Sequence, residues 1–224
     1  MEIRYLGHSA FQLVDGDVSV LVDPFLTGNP KAAADAAEIE ATSILLTHGH
    51  ADHIGDAVAI AQRTGATVQA ITEIAGEIAD EGVAVIDTNI GGTGKHEWGW
   101  ARLVPAFHTS TTPKGTVNPP AGLVIGIGGK VIYHVGDTAL FSDLALPGRR
   151  TPIDVALVPI GGHYTMDRHD AVEAAKLIGA KVVIPIHYDT FPPIETDAQA
   201  FKADVEAAGA ATVVVLAPGE AYTP

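Results

Sequence analysis

Cysteine is absent from the 224-residue chain. Disulfides are therefore impossible, thiolate chemistry is excluded, and any metal site must be built from His, Asp or Glu. Such donors suit zinc, manganese, iron or nickel. Long hydrophobic runs are missing too. No apolar stretch approaches the roughly 20 residues that span a bilayer, and the start Met1-Glu2-Ile3-Arg4-Tyr5-Leu6-Gly7-His8 lacks the apolar segment of a secretory signal. The expectation is a cytoplasmic protein without a membrane span. Positive charge is scarce: 13 Lys and Arg stand against 27 Asp and Glu, a formal net charge of −14. A general nucleic-acid binder needs a basic footprint, so the composition argues against one. Bound divalent cations would create a local positive site in the acidic molecule, which keeps an anionic small substrate open. The expected partner is a small-molecule substrate. A homo-oligomer is compatible with the sequence, but no feature specifies one.

What is present reads as one α/β (α+β) domain over residues 1–224. Residues 2–6, 10–14, 18–22 and 43–47 are short Val/Ile/Leu-rich segments separated by Gly/Asp turns, the pattern of strands. Gly16 is a hairpin signal. Residues 31–41 are Ala-rich and read as a loop with some helix. Alternation follows, with a helix at 55–63, a strand at 67–70, a helix at 73–80 and a strand at 83–86. Strands return at 101–106, 123–127 and 130–135. The last third alternates again: strands at 154–158, 182–185 and 212–216, helices at 170–178 and 197–208. Two halves, each opening with strands and closing with α/β units, suggest a four-layer αββα sandwich.

The chemistry gathers at strand ends. His48, His50, Asp52 and His53 directly follow the apolar segment Ser43-Ile44-Leu45-Leu46-Thr47. Three imidazoles and a carboxylate in six residues need hydrogen-bond partners or a counter-charge, and one such loop can feed two adjacent cations. His108, Asp137 and His187 each end a further apolar segment. Any one of them would read as a satisfied histidine or a turn aspartate. Together with the first cluster they form a coherent metal-ligand set.

In that order, the set resembles the metallo-β-lactamase superfamily over essentially the whole chain. Leu6-Gly7-His8-Ser9-Ala10-Phe11, Gly136-Asp137-Thr138 and residues 159–166 further resemble its small bacterial and archaeal metal-dependent hydrolases. That group is similar to the L-ascorbate-6-phosphate lactonase and N-acyl-phosphatidylethanolamine phospholipase D branches. The resemblance implies a metallo-β-lactamase-like fold and two divalent metal ions, zinc first, with manganese, nickel or iron as alternatives. One is implied to be held by His48, His50 and His108, the other by Asp52, His53 and His187, with Asp137 bridging. A hydroxide between the metals would be the nucleophile, Asp52 a proton relay, and Asp23 the group that orients a ligand histidine. The implied activity is hydrolysis of a small phosphoester, lactone or amide. The lack of cysteine sets the chain apart from β-lactamases that use Cys as a ligand. A di-iron oxidoreductase is the first alternative, although that branch typically has Glu where this chain has His50. A non-catalytic metal-bound sensor is the second.

Weaker candidates remain. His163 reads as a substrate contact or general acid, and His8 as a pocket residue. Phe191-Pro192-Pro193 reads as a wall or lid. His134 reads as a satisfied core histidine, His96 as solvent-exposed, and Asp167 as a helix N-cap with His169 in the first turn. Residues 91–95 fail the Walker pattern and residues 126–129 the dinucleotide fingerprint, so both read as turns.

Overall fold

The computed structural model describes residues 1–224. In chain order it forms β1 (Glu2–Gly7), β2 (Ala10–Asp15), β3 (Val18–Val22), β4 (Ser43–Leu45), α1 (Ala51–Ile54), α2 (Ala57–Thr64), β5 (Thr67–Ile71), α3 (Thr72–Ala79), β6 (Val85–Thr88), β7 (Thr93–His96), β8 (Gly99–Pro105), β9 (Ala121–Ile127) and β10 (Lys130–His134). There follow α4 (Ala145–Arg150), β11 (Val155–Pro159), α5 (Arg168–Ile178), β12 (Val182–Ile186), α6 (Ala198–Ala207), β13 (Thr212–Val213) and β14 (Ala221–Tyr222).

Two seven-stranded mixed sheets result, ordered β14-β1-β2-β3-β4-β5-β6 and β13-β12-β11-β10-β9-β8-β7. Each half is built alike. β1 to β3 pair antiparallel, then β3 to β6 run parallel. β7 to β10 pair antiparallel, then β10 to β13 run parallel. The parallel strands β4, β11 and all but the first residue of β12 are buried throughout. That is why they read as continuous apolar runs rather than alternating ones: a parallel sheet is covered on both faces. One core lies between the sheets and under α2 and α3, and a second lies between the other sheet and α5 and α6. These are the four layers expected, an α/β sandwich flanked by helices. No helix is long and apolar enough to cross a membrane.

Several boundaries differ from the sequence reading. The helix expected over 55–63 is α2, which starts two residues later, and a separate short helix, α1, precedes it; Gly55 lies between them and ends α1. The φ of Gly55 is +40°, and a Cβ there would stand 2.5 Å from the Pro24 carbonyl oxygen. Residues 31–41 contain turns and no helix. Residues 93–96, read as part of a turn and an exposed stretch, form β7 at the edge of the second sheet. His96 is half-buried, stacked on Trp98 at 4.4 Å, with Nε2 2.8 Å from Gln69 Oε1. β13 is shorter than expected, and α4, whose Pro147 and Gly148 conceal it in the sequence, was not anticipated. Asp167 does cap α5, accepting from the backbone N–H groups of His169 and Asp170.

Candidate metal centre

Every implied ligand lies at or just beyond the carboxyl end of a strand, the edge where open α/β sheets present ligand-binding groups. The first sheet supplies Asp23 after β3 and the His48–His53 loop after β4. The second supplies His108 after β8, Asp137 after β10 and His187 immediately after β12. The site is thus a seam between the two halves. Three chemically important residues there, His8 (φ +59°), Asp23 (φ +45°) and His187 (φ +54°), adopt the left-handed backbone that L-residues rarely take. The seam is tied by the His187 N–H donating to the His8 carbonyl at 2.9 Å.

The ligand atoms converge. One atom each from His48, His50 and His108 lie within 4.8 Å of one another, as do atoms of His48, His53 and Asp137, and of His8, Asp52, His53 and His187. Asp137 Oδ2 stands 3.0 Å from His187 Nε2 and 3.6 Å from His108 Nε2, while its Oδ1 is 3.4 Å from His53 Nε2. Asp137 is therefore shared between the groups, as a bridging carboxylate would be. His53 Nε2, His187 Nε2 and Asp137 Oδ1 are buried and make no hydrogen bond. Buried polar atoms are normally paired. Lone pairs that approach this closely and remain unpaired suit cations, so the residues fit the implied metals.

Neighbouring groups fix which nitrogen faces the centre. Asp23 is fully buried; its Oδ1 accepts from the Thr47 N–H at 2.8 Å and its Oδ2 from the Thr47 hydroxyl at 2.6 Å. Having donated its only proton, the Thr47 oxygen accepts at 3.0 Å from His48 Nδ1. Asp23 Oδ2 also accepts from His53 Nδ1 at 2.8 Å. Both histidines thus carry a proton on Nδ1 and turn Nε2 towards the centre, the nitrogen a metal would take. Burial opposes ionisation of Asp23, yet the adjoining His53 holds its carboxyl below the usual carboxylate range. Asp137 is held well below that range by His187 and His53, against the effect of burial. Burial likewise works against the charge on His53, but Asp137 and Asp23 on either side push its pKa well up. Burial pushes His48, His50 and His108 down, so these ring nitrogens are neutral and free to coordinate.

His8 is buried, and burial pushes its pKa down to about 4. Asp52 can only accept, so the neutral ring donates from Nε2 to Asp52 Oδ2 at 3.2 Å and accepts at Nδ1 from the Thr190 hydroxyl, 2.9 Å away. Its ring also meets Phe25 and Phe191 edge-on, at 5.9 and 5.7 Å. His8 therefore stands behind the site and braces Asp52, rather than facing the cavity as the sequence reading had it. That cavity, of about 610 Å³, opens on His50, Asp52, His108, Asp137 and His187, and is walled by Phe25, Ala51, Thr109, Tyr164, Phe191 and Pro193. Phe191 and Pro193 form the wall their sequence suggested. His163 is exposed and not among the lining residues. The adjacent Tyr164 lines the cavity instead, with the His163 ring edge-on to it at 4.6 Å. Thr47, Thr190 and Phe25 escaped sequence reasoning. Nothing in a lone threonine or phenylalanine signals what it will touch, although Thr47 and Thr190 stand next to His48 and Phe191, which the sequence singles out.

Gly49 separates the first two ligands. A Cβ there would lie 2.7 Å from Asn118 Nδ2 and 2.9 Å from Thr112 Cγ2, while its N–H donates to Ser110 Oγ at 2.9 Å. The close approach of the 110–118 loop thus requires glycine between His48 and His50.

Comparison with known proteins agrees with this geometry. Residues 2–187 match the model of the beta-lactamase superfamily domain. A UPF0173 metal-dependent hydrolase of Thermus thermophilus is 50% identical over 202 residues, 90% of this chain and 89% of that one. Another, from Symbiobacterium thermophilum, is 50% identical over 230 residues and the whole of both chains. Among solved structures, the metallo hydrolase Igni18 of Ignicoccus hospitalis superposes with a TM-score of 0.91 at 40% identity, covering 99% of this chain and 97% of its own. The chain belongs to the beta-lactamase superfamily, within its UPF0173 metal-dependent hydrolases.

Proposed function

We propose that the protein hydrolyses a small phosphoester, lactone or amide at a dinuclear centre. His48, His50 and His108 would hold one cation, Asp52, His53 and His187 the other, and Asp137 both. The observation that carries this reading is the shared Asp137, whose two oxygens face histidines of both groups at 3.0–3.6 Å while buried ring nitrogens beside it lack any partner. Zinc is the first candidate, and manganese, nickel and iron suit the same donors. When bound, the cations supply an acidified water and stabilise charge that develops on the attacked centre.

The chain's own residues do the rest. Asp23 and Thr47 hold His48 and His53 with Nε2 turned towards the centre. His8 fixes the Asp52 carboxylate, whose partial exposure on the cavity lets it take a proton from water or pass one to the leaving group. Burial opposes the charge on Asp52, but the His8 hydrogen bond together with the neighbouring His53 and His8 rings outweighs it, so Asp52 stays ionised. Phe25, Tyr164 and Phe191 give the cavity an aromatic lining beside the candidate ligands. Protein reloaded with zinc or manganese is expected to bind about two equivalents per chain and to lose hydrolysis with a chelator. Absence of stoichiometric metal after reloading would collapse the reading.

A further inference from the structure

Eleven residues line the cavity, and none is Lys or Arg. Beyond the five that belong to the metal centre, the wall is Phe25, Ala51, Thr109, Tyr164, Phe191 and Pro193, so the only neutral polar groups there are two hydroxyls. Phe25 and Phe191 are braced by packing on the His8 ring, which makes the apolar wall a fixed surface. A phosphoester carries charged oxygens that do not all face the cations. Taking those oxygens out of water against phenyl rings is heavily disfavoured unless donors or cations receive them. Two hydroxyls do not replace a guanidinium fork, and a chain of net charge −14 does not attract anions from solution. An uncharged carbonyl compound meets neither obstacle. Its one polarised oxygen is all the centre must receive, and its body lies against Phe25, Phe191 and Pro193.

We propose that the cavity takes uncharged esters or lactones with an aromatic or short alkyl body, in preference to phosphoesters. The proposal rests on the hydrolase reading above and narrows it. In the reaction, water adds to the carbonyl carbon and the acyl C–O bond breaks. The acid gains the water's oxygen, and the departing alkoxide oxygen takes a proton.

The test uses the full chain loaded with zinc, its metal content measured in the same sample. Phenyl acetate, propionate and butyrate are compared with diphenyl phosphate, each as kcat/KM divided by its uncatalysed rate constant. The esters are expected to show at least a 100-fold greater acceleration, with kcat/KM rising up to about threefold to fourfold per added methylene and that rise flattening in Phe191→Ala. In parallel, the metal-free chain is titrated with the uncharged fluorophore N-phenyl-1-naphthylamine. Wild type is expected to bind it, and Phe191→Ala at least fivefold more weakly. Greater acceleration of diphenyl phosphate, or a flat response to chain length in the wild type, overturns the proposal and leaves the hydrolase reading standing. If no substrate turns over in metal-replete protein, the hydrolase reading falls. Failure of the wild type to bind the fluorophore overturns the apolar cavity by itself.

Discussion

Replacing Asp23 by asparagine removes one charge and keeps the shape. Asn tolerates the left-handed backbone at φ +45°, so the exchange tests hydrogen bonding without adding strain. The retained Oδ1 can still accept from the Thr47 N–H, but an amide NH₂ now faces two donors, the Thr47 hydroxyl and His53 Nδ1. The Thr47 hydroxyl can turn to another acceptor, which leaves the buried His53 Nδ1–H without one, so the metal-free protein is expected to lose about 1–3 kcal/mol. That is a large share of the roughly 5–15 kcal/mol available to a domain. A second effect follows from the proton order. With Asp23 no longer accepting, the Thr47 hydroxyl turns to donate to His48 Nδ1, which moves that ring's proton to Nε2, the nitrogen meant for the cation. Affinity for zinc is therefore expected to fall about 10- to 100-fold. Urea unfolding of the metal-free chain measures the first effect, and zinc competition against a chromophoric chelator measures the second. An unchanged urea midpoint together with zinc affinity within twofold of wild type would refute the reasoning.

Two further outcomes are expected. Gly49→Ala drives a Cβ into Asn118 and Thr112, an overpacking that costs about 1–3 kcal/mol and displaces His48 or His50; a lower thermal midpoint and weaker zinc retention check it. His134 donates from Nε2 to the Ser9 carbonyl and accepts at Nδ1 from the Gly136 N–H, so only its neutral form fits, and burial pushes its pKa below the usual imidazole range. The unfolded chain then takes up the proton first as pH falls below about 6.5. The metal-free wild type should lose stability relative to His134→Gln between pH 7 and 5, by at most about 1.4 kcal/mol per pH unit. Equal urea midpoint changes in the two proteins would contradict this.

The candidate ligand set was legible because its members follow the ends of apolar strands, singly at His108, Asp137 and His187 and as one cluster in the loop and short helix after β4, and a strand end is visible in one dimension. The sandwich was legible for the same reason: β4, β11 and β12 are apolar on both faces and could only be covered strands. What escaped depends on packing across long sequence separations. Residues 93–96 look polar and Gly-rich, yet the edge pairing with β8 and the Gln69 side chain beneath His96 make them a strand. His163 and Tyr164 are adjacent on a loop, and only the course of the backbone decides which faces the cavity. The role of His8 also depends on contacts made at a distance, since Asp52 and Thr190 are 44 and 182 residues away along the chain.

The left-handed backbone at His8, Asp23 and His187 has a consequence for how such a chain can change over time. An L-residue in that conformation costs about 1–2 kcal/mol, which glycine avoids. At these three positions a sequence drifting towards tighter folding drifts away from its chemistry, because the residue that relieves the backbone has no imidazole or carboxylate to offer. The strain therefore marks where function is retained against the interest of stability, and the buried strands of the two cores supply the margin that allows it.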